Sequence, residues 1–297
     1  MSEEEQRFSE ALQLPVPPAD IRNAVLTDLQ TAGDFVQRLG AEDWKIASAV
    51  PGWTLGDVVA HLNLGLSAFS RLTDLVVAGK TGSGLLRKAG QLSKNVIPVA
   101  APALNALNSA IPKMLDRTLA PEVIKGQFVA GSRSLRDRLE RIVPGDYVKP
   151  VYYMGGPWPL SFFLAAADNE LAIHLWDMQS QLDSHTRLSA EARTVLPSFY
   201  WSASSWMLHL PKDTSGTVSV VLTDPNTALW WQIEAGRAMT GRGVPDNPDV
   251  TITGDSGTVP LMLAGRIAFD EATRSTSVRA QGREELARRF LSSWKIV

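Results

Sequence analysis

Apolar residues recur at helical spacing through the first two thirds of the chain and at strand spacing through the last third. From Ala19 to Leu39 the residues Ile21, Val25, Leu26, Leu29, Phe35, Val36 and Leu39 fall mostly on one stripe. They predict an amphipathic helix stopped by Gly40. A connector with Trp44, Pro51 and Gly52 then leads to Thr54, a good N-cap with Asp57 at the third helical position. The helix begun there runs from Leu55 to about Ala78 and carries His61 inside an otherwise apolar surface. Ala120-Pro121-Glu122 opens a third helix, to Ile142. Its later turns hold Arg133, Arg136, Arg138 and Arg141 with Asp137 and Glu140, most simply a solvated, ion-paired face. Tyr147 to Pro157 reads as a turn-rich link. Leu160 to Gln179 is a long apolar helix, and Ser189 to His209 an additional helix rich in Trp and Tyr. Between the second and third helices, Thr81 to Leu119 is irregular. Leu85 to Val96 fits an amphipathic helix, while Val99 to Ile111 is small and apolar but broken by Pro102. Spanning a membrane needs about 20 apolar residues without such breaks. The segment reads as a packing insertion, with a lid, a dimer surface or a membrane-touching flap as the functional readings.

At about Leu210 the period changes. Thr217 to Thr223 alternates as a half-buried strand does, and Asp224-Pro225-Asn226-Thr227 makes a turn. Ala228 to Ile233, Asp249 to Gly254 and Ser277 to Gly282 predict three more strands. Ser256 to Ala264 and Glu284 to Trp294 predict helices. The expected class is α+β: a four-helix bundle over 1–210 with an insertion at about 81–119, then a small α+β domain over 211–297 with an antiparallel sheet.

Composition narrows the chemistry. With 297 residues, 44% apolar and 20% charged, the chain can bury a sizeable core. Its net charge of −2, with Lys and Arg scattered, leaves no electrostatic footprint for nucleic acid. It has no cysteine, which removes disulfides, a Cys nucleophile and thiolate metal ligands. The acidic start Met1-Ser2-Glu3-Glu4-Glu5 lacks a basic-then-apolar leader pattern, so a cytoplasmic location is expected. Whether the chain forms a homo-oligomer is left open.

Only four histidines are present: His61, His174, His185 and His209. Within Asn169-Glu170-Leu171-Ala172-Ile173-His174-Leu175-Trp176-Asp177-Met178, Glu170 and His174 stand four residues apart and share one helix face. By spacing alone that is a commonplace pair, and a lone His61 reads first as a satisfied core side chain. Together His61, Glu170 and His174 make two imidazoles and a carboxylate, a set that in catalytic zinc sites leaves a fourth position open. Asp177 and Asp57 are candidates to orient the imidazoles. For Asp177 the alternative is a surface charge. For Asp57 the helix cap is the better reading. His185 and His209 receive no role.

Val50-Pro51-Gly52-Trp53-Thr54-Leu55-Gly56-Asp57-Val58-Val59-Ala60-His61-Leu62 resembles the Pro-Gly-Trp-Thr-x-x-Asp-x-x-Ala-His-Leu signature of the mycothiol-dependent maleylpyruvate isomerase family, DinB-like four-helix metalloenzymes. Glu170 to Asp177 resembles that family's second signature, Glu-x-x-x-His-x-Trp-Asp. The resemblance covers about residues 19 to 210. It implies a divalent metal, usually zinc, on His61, Glu170 and His174, with mycothiol as co-substrate. The tail is similar to sterol-carrier-protein folds in Asp249 to Gly254 and Leu261-Met262-Leu263-Ala264-Gly265-Arg266. The resemblance there points to Arg266 as a catalytic clamp for substrate carboxylate, with Arg237 and Arg242 as rivals and an ion-paired surface Arg as the plain alternative.

The leading expectation is therefore a metal-dependent enzyme that uses a low-molecular-weight thiol for S-transfer or cis–trans isomerisation of a small electrophile. A metal-dependent hydrolase, or a binding protein for a hydrophobic or lipid ligand, are the alternatives. The long insertion and the fuller second domain set this chain apart from the family pattern, which leaves the substrate undetermined.

Overall fold

The computed structural model describes residues 8, 9, 11–80, 106–153 and 156–294. They fall into two compact units, 1–191 and 192–296.

The bundle of the first unit is built from α1 (Pro18–Arg38), α2 (Leu55–Val77), α3 (Pro121–Leu139) and α4 (Leu160–Gln179). Each packs on two of the others, α1 on α3 and α4, α2 on α3 and α4, which closes a four-helix bundle. Pro18 and Pro121 stand in the first turns of α1 and α3, where a missing N–H costs nothing. The helix α4 is buried on nearly every face, from Leu160 and Phe163 to Leu175 and Met178. An all-round apolar helix of this kind belongs at the centre of a bundle.

The arginines of α3 do more than decorate a wet surface. Arg138 Nε donates to Asp74 of α2 at 2.6 Å, and Arg141 Nη2 reaches the same carboxylate at 2.9 Å. Arg136 Nη2 donates to Gln30 Oε1 of α1 at 2.6 Å. These bonds run between helices, so sequence spacing along α3 does not reveal them. Residues 106–118 form one continuous helix, where the broken apolar pattern gave no such expectation. The amphipathic helix expected at Leu85 to Val96 lies outside the described residues.

One interior pair is unusual. Asp28 of α1 and Asp168 of α4 are buried at 1% and 0% exposure, and their carboxyl groups interact. Ser189 supplies a hydrogen bond to Asp28. Among the described residues, neither Asp168 oxygen meets a donor at ordinary hydrogen-bond geometry. Burial raises both carboxyls, Asp28 to about 6, and the neighbouring charge of Glu191 adds to the effect.

Before α4 the expected turn-rich link contains a short antiparallel hairpin, β1 (Pro150–Tyr153) with β2 (Gly156–Pro159), in register Pro150↔Pro159 to Tyr153↔Gly156. Pro150, Pro157 and Pro159 make this stretch look like a connector, but a two-stranded ribbon has free outer edges that need no ladder donors.

The second unit takes most of α5 (Ala190–Met207) together with β3 (Gly216–Thr223), β4 (Asn226–Glu234), β5 (Arg237–Arg242), β6 (Val250–Gly254), α6 (Thr258–Leu263), α7 (Phe269–Arg274), β7 (Val278–Gly282) and α8 (Glu284–Ser292). The compact units divide after Glu191, whereas sequence reading placed the change at about 210. The reason is side-chain bonding between α5 and the sheet: Trp201 Nε1 donates to Gly241 O at 3.1 Å, and Trp231 Nε1 to Ser204 Oγ at 2.6 Å. The strand order is β5-β4-β3-β6-β7. Three pairings are antiparallel, as expected, and the fourth, β3 with β6, is parallel. Residues 243–249 carry the chain back so that β6 lies beside β3 in the same direction. Val218, Val220 and Leu222 of β3 face the core, and α8 covers the sheet with Leu286, Ala287 and Phe290.

Candidate metal centre

The site begins with a turn. Trp53 N donates to Val50 O at 3.1 Å around Pro51-Gly52, and Gly52 has φ +74. Proline pre-sets the first corner of such a turn, and the second requires the left-handed conformation that glycine adopts without cost. The turn brings Thr54 to the start of α2. There Thr54 Oγ1 accepts from Asp57 N at 3.1 Å, and Asp57 Oδ2 accepts from Thr54 N at 2.9 Å, a reciprocal capping box. The Asp57 carboxylate is thus spent on the helix end. The helix-cap role, the better of the two readings for Asp57, is the one its hydrogen bonds serve, and His61 Nδ1 is buried and, among the described residues, has no hydrogen-bond partner.

Two turns into α2, His61 projects toward α4. Its Nε2 stands 3.4 Å from Glu170 Oε2, and His174 Nε2 stands 3.6 Å from the same oxygen. The two imidazole rings meet edge to face, with centroids 4.8 Å apart. One ligand atom from each of the three residues lies within 4.8 Å of the others, a set able to hold a metal ion. Separations of 3.4 and 3.6 Å are long for good hydrogen bonds. They match the edges of a tetrahedron with metal–ligand bonds of roughly 2.0–2.2 Å. The donor set, two imidazoles and a carboxylate, suits zinc and similar borderline ions. The side chains of His61, His174 and Glu170 are 12%, 13% and 26% exposed, so the cluster is accessible from outside.

Asp177 sits where an orienting group should. It is fully buried, and its Oδ2 lies 2.8 Å from His174 Nδ1. A proton held on Nδ1 by that carboxylate leaves the Nε2 lone pair free to face Glu170. The backbone joins both motifs as well, since Ala49 N donates to Asp177 O at 3.0 Å. If this geometry serves a metal, Asp177→Asn weakens zinc affinity about 10- to 100-fold. Competition with a chromogenic chelator reads that change, and an unaltered affinity contradicts it.

Two contributors had no assigned role in the sequence reading. The Trp53 ring packs edge-on against His61, centroids 5.4 Å apart, and Lys113 of the 106–118 helix stands over the same indole at 5.9 Å. Trp53 belongs to the first motif, and that was the available signal. Tyr153, at the end of β1, packs against Phe69 of α2 and Phe163 of α4. Burial and the charge of Glu170 together raise its pKa. Nothing local in the sequence marks it.

Arg266 belongs to the second unit. It follows Gly265, whose φ of +69 ends α6, and its Nη1 donates to Ala264 O at 2.8 Å. It lines a cavity of about 720 Å³ with Phe269, Asp270 and Arg288. Arg237 and Arg242 stand at the two ends of β5, Arg242 over the Trp201 ring at 5.6 Å. Among the described residues, no helix is long and apolar enough to cross a membrane.

Comparison with known proteins agrees with the motifs. A family model described as the mycothiol maleylpyruvate isomerase N-terminal domain matches residues 28–179. The crystal structure of a mycothiol-dependent maleylpyruvate isomerase is similar over 90% of this chain and 94% of that chain, with a TM-score of 0.55 and 13% identity. A mutant of a mycothiol-dependent maleylpyruvate isomerase gives 0.56 at the same identity and coverage. A sterol carrier protein 2-like structure from Aedes aegypti covers 28% of this chain and 76% of its own, at 19% identity and a TM-score of 0.22. No curated protein matches the sequence.

Proposed function

The chain belongs to the mycothiol maleylpyruvate isomerase N-terminal domain family, and from that premise we propose that it is a metal-dependent enzyme that uses a low-molecular-weight thiol on a small electrophile, by cis–trans isomerisation or S-transfer. The observation that carries this reading is the convergence of His61, Glu170 and His174 from α2 and α4, with Asp177 behind His174. These three residues hold a divalent ion, zinc being the best fit to the donors. Bound there, the ion lowers the pKa of a thiol, so that thiolate, the nucleophilic form, is available near neutral pH. The chain's own residues do the rest. Asp177 keeps the His174 proton on Nδ1, Trp53 walls the His61 ring, and Phe69 and Phe163 line an apolar flank that limits water. The absence of cysteine from all 297 residues fits a sulfur nucleophile that arrives from solution. Mycothiol is the proposed thiol, as the family's description names it. The second unit is proposed to be sterol-carrier-like, with Arg266 as its carboxylate clamp.

Stripping the metal and restoring it tests the proposal. With mycothiol and maleylpyruvate, chelator-treated protein is expected to lose turnover and zinc to restore it. Turnover that persists without thiol, or without metal, contradicts the reading.

A further inference from the structure

The 106–118 helix carries an apolar stripe that stands in solvent. Leu107, Ile111 and Met114 fall at i, i+4 and i+7, one face of a helix, and are 54%, 38% and 55% exposed. Single exposed apolar side chains need no explanation, but three aligned on one face mark a contact surface. The opposite face is seated on the bundle. Pro112 is buried, Trp44 Nε1 donates to Asp116 Oδ1, and Leu115 shares a groove of about 510 Å³ with Leu64 of α2 and Ile124 of α3. Helical spacing sets Lys113 and Arg117, one turn apart, along one border of the stripe, and Arg117 is exposed.

The charge around the stripe selects its partner. The chain as a whole is at −2, yet between Asp74 and Glu122 the sequence holds Lys80, Arg87, Lys88, Lys94, Lys113 and Arg117 against one acid, Asp116. That acid is bonded to the Trp44 indole on the seated face, so the border of the stripe is basic. A second copy is a poor occupant. An isologous contact would bring two basic borders together, and three side chains fall well short of the roughly 800 Å² that each partner of a stable dimer buries. An anionic bilayer answers both features, its acyl region taking the apolar side chains and its headgroups the cations. Among the described residues, no helix is long and apolar enough to cross a membrane, so the contact lies along the surface.

We propose that the exposed face of the 106–118 helix is a docking surface for an anionic lipid bilayer, with Leu107, Ile111 and Met114 entering the boundary between headgroups and acyl chains and Arg117 and Lys113 beside the headgroup phosphates. This goes beyond the metal reading and does not depend on it.

The test uses the full chain. Because the sequence has no cysteine, Met114→Cys introduces the only thiol, and a polarity-sensitive fluorophore is attached to it. Met239→Cys, at a position 59% exposed in the second unit, is the control. With vesicles of equimolar phosphatidylglycerol and phosphatidylcholine, the first label is expected to shift to the blue and the control to stay unmoved. Vesicles of phosphatidylcholine alone are expected to move neither. Added salt weakens the response by screening the headgroups. In cosedimentation of unlabelled protein, the double variant Leu107→Gln/Met114→Gln is expected to lose roughly 10-fold or more in vesicle partitioning. Both positions are exposed, so its circular dichroism and thermal midpoint match those of wild type. A first label that anionic vesicles leave unmoved overturns the proposal, as do equal shifts at both labels or a double variant that partitions like wild type. A blue shift that grows with protein concentration in the absence of lipid overturns it in favour of a second copy. A shift produced by polyglutamate but not by vesicles overturns it in favour of an acidic protein.

Discussion

His174→Ala abolishes stoichiometric zinc binding while the bundle stays folded. In the proposed site His174 is one of three candidate protein donors among the described residues, and its Nε2 faces Glu170 Oε2 from 3.6 Å. With it gone, a carboxylate and one imidazole remain, so the loss exceeds the roughly 10- to 100-fold that follows from changing an orienting partner such as Asp177. The fold survives because α4 is held by its apolar faces, through Leu171, Leu175 and Met178, and not by the polar cluster. His61→Ala is expected to behave alike from α2. Metal content per chain, with far-UV circular dichroism as the control, checks both. There is a second readout, since a ligand that binds only the folded state raises its stability. Chelator therefore lowers the thermal midpoint of wild type and leaves that of His174→Ala unmoved. A variant that retains one zinc per chain contradicts the assignment.

Asp28→Asn raises stability at neutral pH, and the gain depends on pH in a direction fixed by burial. In the fold Asp28 titrates at about 6 against an ordinary 3.8, because burial disfavours its anion. The native state therefore binds more protons than the unfolded chain between those values. Stability contributed by the neutral carboxyl is full below about pH 4 and is lost as pH rises through about 6. A difference of about 2 units corresponds to on the order of 3 kcal/mol. Asn has nearly the same shape and cannot ionise, so the variant escapes this loss. Its thermal midpoint relative to wild type is expected to climb between pH 4 and 6 and then level off. A difference that stays constant over that range, or a variant less stable than wild type at pH 7, contradicts the account. Asp28 stands against Asp168, which lies on the same helix as Glu170.

The parts legible in the sequence are those written in short-range chemistry. The Thr54–Asp57 box, the Pro51-Gly52 turn and the one-face spacing of Glu170 and His174 each depend on residues within a few positions of one another, so their geometry follows from local rules. The meeting of His61 with that pair was readable only because two motifs coincided, as spacing carries no information across 109 residues of chain. Where partners are distant, reading failed in specific ways. Asp57 was free to be a cap or an imidazole partner, and the capping box decided. Arg138 and Arg141 are ion-paired as expected, but their partner is Asp74 of another helix, which spacing along their own segment does not name. The strand β5 was missed because Arg237-Ala238-Met239-Thr240-Gly241-Arg242 lacks alternation. As an exposed edge strand bounded by arginines, it needs none. The parallel β3–β6 pair was hidden because alternation tells which side chains face the core, not which strand lies alongside or in which direction it runs. Tyr153 depends on a hairpin of prolines that resembles a loop.

The most direct measurement of the central claim replaces the metal with cobalt(II) in the full chain and follows its visible and near-ultraviolet spectrum as mycothiol is added. The account predicts one cobalt per chain in a low-symmetry, near-tetrahedral field, with a sulfur-to-cobalt charge-transfer band that grows to one thiol per metal. A chain that takes up no cobalt, or a cobalt spectrum that mycothiol leaves unchanged, would contradict it.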